Sequence, residues 1–170
     1  MIYGIAGAAS IQENLISDRC GAKRLNKGPM FDMKAIHAEV DQLIRDYTVL
    51  CKSGSQRVDN LSGGNIQKVI LARELDADPE ILIAAQPTRG VDIGAIEFIH
   101  NQILKMRDAG TAVFIISSEL SEVTGLSDRV LVMYHGEIVG GFRSEDVSFN
   151  ELGLYMSGVK RMTAEELSEE

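Results

Sequence analysis

Apolar residues recur at intervals of three and four positions in several stretches of the chain, a spacing typical of helices with one buried face. Polar residues mark where some of these helices begin. Ser10 and Glu13 have the spacing of a capping box, and Asp32 and Asp92 are suitable N-caps. The helices predicted on this basis cover residues 11–17, 33–47, from 63 or 64 to 78, from 92 to 110, 119–126 and 148–157.

Short apolar runs predict strands between these helices. Ile81–Ala84 and Thr111–Ile116 are apolar at successive positions, as in strands that are buried on both faces of a sheet. The helix between them makes this stretch a strand–helix–strand unit. Two further runs, Val130–Tyr134 and Ile138–Phe142, flank His135–Gly136 and predict a hairpin with the glycine at a position that favours positive φ.

The order of these elements predicts an α/β layered domain with a mostly parallel sheet, an antiparallel hairpin near its end and a helical portion before it. We place the helical portion at about residues 10–76 and the α/β core at about 77–161. Residues 162–170 contain four glutamates with little apolar spacing, so we expect a solvated acidic tail.

Composition excludes several classes of protein. The net charge of −8 and the pI near 4.9 argue against a protein that binds the phosphate backbone of nucleic acids. Cys20 and Cys51 lack the spacing of a zinc site, the three histidines are dispersed, and no metal site is predicted. The sequence also lacks an apolar run long enough for a membrane span and a basic signal-peptide start, so we expect a cytoplasmic chain.

The segment Leu61–Lys68, L-S-G-G-N-I-Q-K, is the most informative motif. Two adjacent glycines at a helix start leave backbone amides accessible. Together with the Ser62 hydroxyl and the positive end of the helix, these amides form a suitable seat for a phosphate. The alternative is a glycine turn that only precedes a core helix.

About twenty residues later, a strand ends in Gln86–Asp92, Q-P-T-R-G-V-D. In this order and spacing the two segments resemble the ATP-binding-cassette (ABC) family, in which an L-S-G-G-Q-like signature precedes an acidic strand and a P-T-x-G-x-D loop. The resemblance covers nearly the whole chain and implies a partial P-loop NTPase fold. Within this family, the chain resembles in finer detail the second cassette of double-cassette ATPases that drive importers of simple sugars and nucleosides. Of these two types, the nucleoside type matches better. Four stretches carry this finer resemblance, namely 86–95, 116–120, 126–129 and 152–158.

Departures from the family pattern bear on catalysis. No G-x-x-x-x-G-K-[ST] loop occurs in the sequence. By the resemblance, Ala85 takes the place of the aspartate that supports the metal, Gln86 that of the glutamate that polarises water, and Ser118 that of the switch histidine. An amide cannot accept the proton of the attacking water. We therefore expect the chain alone to be inactive and to bind no cofactor, with ATP and Mg²⁺ used only in the assembled transporter.

The signature itself is intact, and the resemblance implies that two cassettes meet head to tail. The signature of one cassette then closes over ATP held by the other, and Asp92 bridges the two. The residues implied to bind this ATP in trans are Ser62, Gly63, Gly64, Asn65 and Gln67. The implied partners are a second cassette and a transmembrane permease. The helices of residues 11–76 are implied to form the portion that faces the permease. This places the chain peripherally on the inner face of the cell membrane.

Two other functions are compatible with parts of the sequence. One is a noncatalytic interaction module that docks on a cassette or permease. It would have the same docking surface as an ATPase subunit, so the sequence does not separate the two. DNA-repair ATPases share the signature, but the acidic charge and the lack of coiled-coil heptads disfavour them.

The resemblance also predicts a gap in the sheet. In the resembling fold, the strand that leads to the phosphate loop lies between the strands matching 111–116 and 130–134. We expect residues 1–8 or a strand from a second chain to shield this gap, or the chain to aggregate.

Overall fold

Helices alternate with short strands in the computed structural model. It describes the backbone of residues 4–169 and the side chains of residues 4–167. The helices are α1 (Ile11–Ile16), α2 (Met33–Asp46), α3 (Gly63–Leu75), α4 (Ile93–Asp108), α5 (Leu120–Leu126), α6 (Phe149–Met156) and α7 (Ala164–Glu169). The strands are β1 (Asn26–Lys27), β2 (Met30–Phe31), β3 (Ile81–Ala85), β4 (Ala112–Ile116), β5 (Arg129–Tyr134) and β6 (Glu137–Arg143). Among the described residues, no helix combines the length and hydropathy that a membrane crossing requires.

The predicted N-caps are confirmed. Ser10 Oγ accepts a hydrogen bond from the Glu13 amide at 3.1 Å, and the Glu13 carboxylate accepts one from the Ser10 amide at 2.7 Å. Asp32 caps α2 and Asp92 caps α4 in the same way with their carboxylates. Because side chains satisfy the first free amides of each helix, the starts of these helices are readable from sequence.

The described chain divides into two compact units. The first contains residues 4–82 and 87–113, and the second contains 83–86 and 114–169. This grouping cuts the chain differently from the predicted helical portion at 10–76 and core at 77–161, and that division stays a prediction.

The core of the first unit lies among α1, α2 and α3. Its fully buried side chains include Ile11, Leu15, Ile36, Val58 and Val69. Between α1 and α2, the chain forms a short hairpin in which β1 pairs with β2. Two-residue strands leave no detectable apolar alternation, and the sequence therefore could not show them.

The second unit is built on the antiparallel pair β5–β6, on which α6 packs. Val130, Val139 and Leu152 are buried between these elements. The predicted hairpin turn is confirmed, since φ is 49° at His135 and 83° at Gly136. Such positive φ values match the twist of the two strands.

Strands β3 and β4 pair with each other and run in the same direction. Their burial alternates, and one side of each strand is exposed. Ile83 is 66% exposed and Phe114 is 53% exposed. The prediction that both faces of these strands are buried is therefore wrong for this chain, because the apolar residues on one face lack a covering element among the described residues.

The predicted gap in the sheet has a counterpart in the structure. Among residues 4–169, β3–β4 and β5–β6 form separate two-stranded sheets, and no described strand joins β4 to β5. Residues 4–8 form turns that bond to α1 and α3, for example through Gly4 O, which accepts from Arg73 Nη2 at 2.6 Å. These residues therefore add no strand to either sheet. Residues 1–3 lie outside the described residues, and the alternatives of a second chain and of aggregation stay predictions.

The acidic end of the chain forms the helix α7, which was not expected of a solvated tail. Thr163 and Glu166 form a reciprocal pair of bonds at the start of α7, with the Thr163 amide 2.7 Å from the Glu166 carboxylate. Just before it, the Met162 amide donates to Val139 O at 2.9 Å. The spacing of Thr163 and Glu166 is the same capping box that marks α1, so the signal was present in the sequence.

Candidate functional site

The exposed N-cap of α3 is Ser62, whose hydroxyl oxygen receives two hydrogen bonds. The donors are the Asn65 side-chain nitrogen at 2.9 Å and the Asn65 amide at 3.4 Å. A hydroxyl oxygen has two lone pairs and one hydrogen. With both lone pairs engaged, the hydrogen of Ser62 is directed to acceptors other than Asn65.

Gly63 and Gly64 are the first two residues of α3, where backbone amides have no partner within the helix. A Cβ on Gly64 would lie 2.9 Å from Asp92 Oδ2 and 3.0 Å from Ala95 Cβ, and one on Gly63 would lie 3.2 Å from Gly90 O. Close packing of α3 against the start of α4 thus requires glycine at residue 64. The same packing leaves Gly63 exposed.

Further contacts join the signature to the loop at 87–92. Gln67 Nε2 donates to Pro87 O at 2.9 Å, and Asp92 Oδ1 accepts from the Ala95 amide at 2.9 Å. Asn65 and Gln67 are therefore both engaged within the chain, although each amide nitrogen carries a second hydrogen. The structure brings the five predicted ATP-binding residues and Asp92 together in the first unit.

The segment of residues 47–50, which we call the linker segment, also contacts the signature helix. Asn65 Oδ1 accepts from the Leu50 amide at 2.7 Å. Lys68 Nζ donates to Thr48 O at 3.1 Å and to Thr48 Oγ1 at 3.2 Å. These contacts could not be predicted from the sequence, because their partners lie 15 and 20 residues from the signature residues.

Aromatic side chains flank the linker segment. The Phe98 ring lies 4.8 Å from Lys68 Nζ and edge-to-face with Tyr47 at 6.4 Å. Burial raises the pKa of Tyr47 to about 12, and the charges of Asp76 and Asp46 add to this effect. Tyr47 is therefore a neutral side chain at physiological pH.

Gln86 and Ser118 lie together in the second unit, at the ends of β3 and β4. Ser118 Oγ donates to Gln86 Oε1 at 3.4 Å, and the Gln86 amide donates to Ile116 O at 2.7 Å. Gln86 has a φ of 50°, in the left-handed region that non-glycine residues seldom adopt. Both side chains are neutral, and the side chain of the preceding Ala85 offers no oxygen to a cation. Within the described residues, no group of three or more metal-ligating side chains occurs.

Relatives of the chain are ATP-binding proteins of importers. The glucose import ATP-binding protein of Haloferax volcanii is 41% identical over 164 residues, which are 95% of this chain and 30% of that protein. The guanosine import ATP-binding protein NupO of Bacillus subtilis is 44% identical over 134 residues, which are 79% of this chain and 25% of that protein. The chain belongs to the ATP-binding-cassette family. No family model matches this ABC chain.

Solved ABC cassettes confirm the predicted fold. The bacterial ABC transporter cassette MJ0796, solved as a dimer in a post-hydrolysis state with ADP and Pi, has a TM-score of 0.68 and 20% identity to the chain. The match covers 82% of this ABC chain and 59% of MJ0796. Against the two importer proteins, the ABC chain spans less than a third of their length.

Proposed function

We propose that this ABC chain is part of the ATP-binding subunit of an importer for sugar- or nucleoside-type solutes and presents its signature to ATP held by a partner cassette. The names of the relatives support the solute class. One observation carries the signature's role. Asn65 engages both lone pairs of the Ser62 oxygen, so the Ser62 hydrogen remains for an external acceptor.

The γ-phosphate of ATP fits this donor set. Its oxygens are charged acceptors, and bonds from a hydroxyl and from backbone amides to such oxygens are stronger than neutral bonds. Ser62, Gly63 and Gly64 supply these donors at a helix start, where the helix dipole also favours an anion. The second amide hydrogens of Asn65 and Gln67 add to the set. Oδ1 of Asp92 accepts from the Ala95 amide, and its other carboxylate oxygen, Oδ2, would form the bridge to the partner cassette.

Hydrolysis in this proposal takes place at the partner's nucleotide site. This chain's sequence has no phosphate-binding loop, and Gln86 and Ser118 cannot accept a proton from water. Mg²⁺ would neutralise charge on the transferred phosphoryl group, and its side-chain ligands would come from the partner, since the Ala85 side chain has no oxygen. The ABC chain then contributes hydrogen-bond donors to the phosphate and no group that accepts the proton of water.

The location follows from the proposed assembly. The partner cassette and a permease would hold the chain peripherally at the cytoplasmic face of the cell membrane. ATP binding by the isolated chain would be very weak.

The test compares the chain alone with the chain and a partner. Calorimetry with ATP should show no measurable binding to the isolated chain. Added to a related cassette with an intact phosphate loop, the chain should raise the ATPase rate of that cassette. Ser62→Arg should abolish the rise, because a long side chain replaces the hydroxyl donor. Ser17→Arg, at the exposed end of α1 in the same unit, should leave it unchanged.

Two outcomes would contradict the proposal. Tight binding or turnover of ATP by the isolated chain would indicate a phosphate site within it. Association with the partner without any rise in ATPase rate would favour the alternative of a noncatalytic interaction module.

A further inference from the structure

Asn65 lies in the first turn of α3 with both ends of its carboxamide bonded. The oxygen accepts from the Leu50 amide at 2.7 Å, and the nitrogen donates to Ser62 Oγ at 2.9 Å. The Leu50 amide can only donate, so the Asn65 oxygen must face it. This contact fixes the orientation of the carboxamide and makes its nitrogen the donor to Ser62.

The orientation of Asn65 determines the orientation of the Ser62 hydroxyl. If the carboxamide were reversed, its oxygen would face Ser62 Oγ and would accept the hydroxyl hydrogen. In the observed orientation the nitrogen occupies a lone pair of that oxygen instead. The hydrogen is then available outside the chain, as a phosphate contact requires.

Lys68 holds the same linker segment one turn further along α3. Its ammonium donates to Thr48 O at 3.1 Å, and Thr48 has a φ of 49°. A β-branched residue in this region of φ is strained. Residues three apart on a helix lie on one face, so Asn65 and Lys68 hold the linker segment together.

We propose that Asn65 is a positioning residue, which couples the linker segment to the signature by bonding the Leu50 amide and thereby directs the Ser62 hydroxyl toward phosphate. The role rests on the proposed function, because it assumes a phosphate at Ser62. Through Asn65, a displacement of residues 47–50 reorients the donor of the signature. Asn65 thus acts on the phosphate through Ser62, in addition to the contact proposed for the second hydrogen of its own amide.

Two substitutions separate the two bonds of Asn65. Asn65→Ala removes both. Asn65→Asp has nearly the same shape and keeps an acceptor for the Leu50 amide, but its carboxylate accepts the Ser62 hydrogen and turns the hydroxyl inward. An acidic residue is favourable in the first turn of a helix, so Asn65→Asp should fold. Asn101→Asp, at an exposed position of α4, is the matched control for the added charge.

Hydrogen exchange of the Leu50 amide tests the geometry on the 170-residue chain alone. The amide should be protected in the wild type and in Asn65→Asp. It should exchange roughly three- to tenfold faster in Asn65→Ala, the change expected when one hydrogen bond is lost. Equal exchange rates in the wild type and Asn65→Ala would show that Asn65 does not hold the linker segment and would overturn the proposal.

The ATPase rate of the partner cassette, measured at saturating ATP and saturating chain, tests the effect on Ser62. Asn65→Asp should lower the stimulated rate roughly ten- to a hundredfold, with the chain concentration for half-stimulation unchanged. Asn101→Asp should match the wild type. Full stimulation by Asn65→Asp would overturn the proposal. If the wild-type chain does not stimulate the partner, the proposed function fails, whereas the exchange experiment still decides whether Asn65 holds the linker segment.

Discussion

At the scale of single residues, packing explains why glycine stands at position 64 of the signature, and this explanation does not depend on a ligand. A Cβ on Gly64 would collide with Asp92 and Ala95, and Asp92 is itself held by its bond to the Ala95 amide. The side chain of Asp92 therefore cannot move aside without uncapping α4. Packing and phosphate binding thus select the same residue at position 64.

We expect Gly64→Ala to lower the free energy of unfolding by about 1 kcal/mol or more, because overpacking outweighs the helical preference of alanine. The measurement is the urea midpoint of unfolding. Gly153→Ala is the matched control. It also lies in a helix, but its Cβ would have no atom within 4 Å, so this substitution should raise the midpoint. A higher midpoint for Gly64→Ala would show that α3 and α4 are packed less closely.

The sequence predicts such residues only where their partners are local. Ser10, Asp32 and Asp92 bond to amides two or three residues away, and their cap roles were readable from spacing. The orientation of Asn65 depends on the Leu50 amide, and the contact of Gln67 depends on Pro87 O. No spacing rule encodes these distant pairs.

At the scale of elements, a buried arginine joins the segments of the helical core. The Arg19 side chain is only 8% exposed and pairs with Asp76 just after α3. It also lies 3.7 Å from Glu39 of α2 and donates to Arg73 O of α3 at 2.6 Å. The single positive charge of Arg19 therefore contacts acceptors from α2, from α3 and from the residue that follows α3.

Arg19→Ala should cost about 2 kcal/mol or more of unfolding free energy, because it removes a buried side chain and leaves two partly exposed carboxylates and the Arg73 carbonyl without their partner. Arg24→Ala is the comparison, since Arg24 also pairs with Glu39 but its side chain is 57% exposed. Its cost should stay below about 1 kcal/mol. Urea unfolding of both variants measures the difference, and equal losses would contradict a special role of burial.

Most elements were predictable because their apolar spacing or caps are local. The six predicted helices and four predicted strands are confirmed, with ends shifted by a few residues. The exposure of β3 and β4 was not predictable, since an apolar run indicates only that a strand can be buried. Whether it is buried depends on which other elements are present to cover it.

At the scale of the whole molecule, the second unit leaves apolar strand surface open to solvent. Ile83 and Phe114 are more than half exposed on β3 and β4, as is Met133 on β5. Open apolar faces of this kind favour association with other chains. They are a further reason to expect the chain to aggregate, an outcome that stays a prediction.

The double substitution Ile83→Thr with Phe114→Thr should lower the fluorescence of bound anilinonaphthalene sulfonate by about half or more, and light scattering at raised temperature should fall with it. Threonine keeps the strand preference while it removes apolar surface. Ile93→Thr with Val159→Thr changes two residues that are 85% and 72% exposed outside the strands. A similar decrease in this control would mean that the strand faces are not the adhesive surface.

The division into two units has a consequence for synthesis on the ribosome. The second unit takes residues 83–86 from the middle of the chain and the remainder from 114 onward. Its strand β4 leaves the ribosome roughly 30 residues after β3, a delay of about 2–6 s at usual translation rates. During that interval β3 lacks β4, the strand with which it pairs among the described residues, so this is the period when a chaperone would protect the nascent protein.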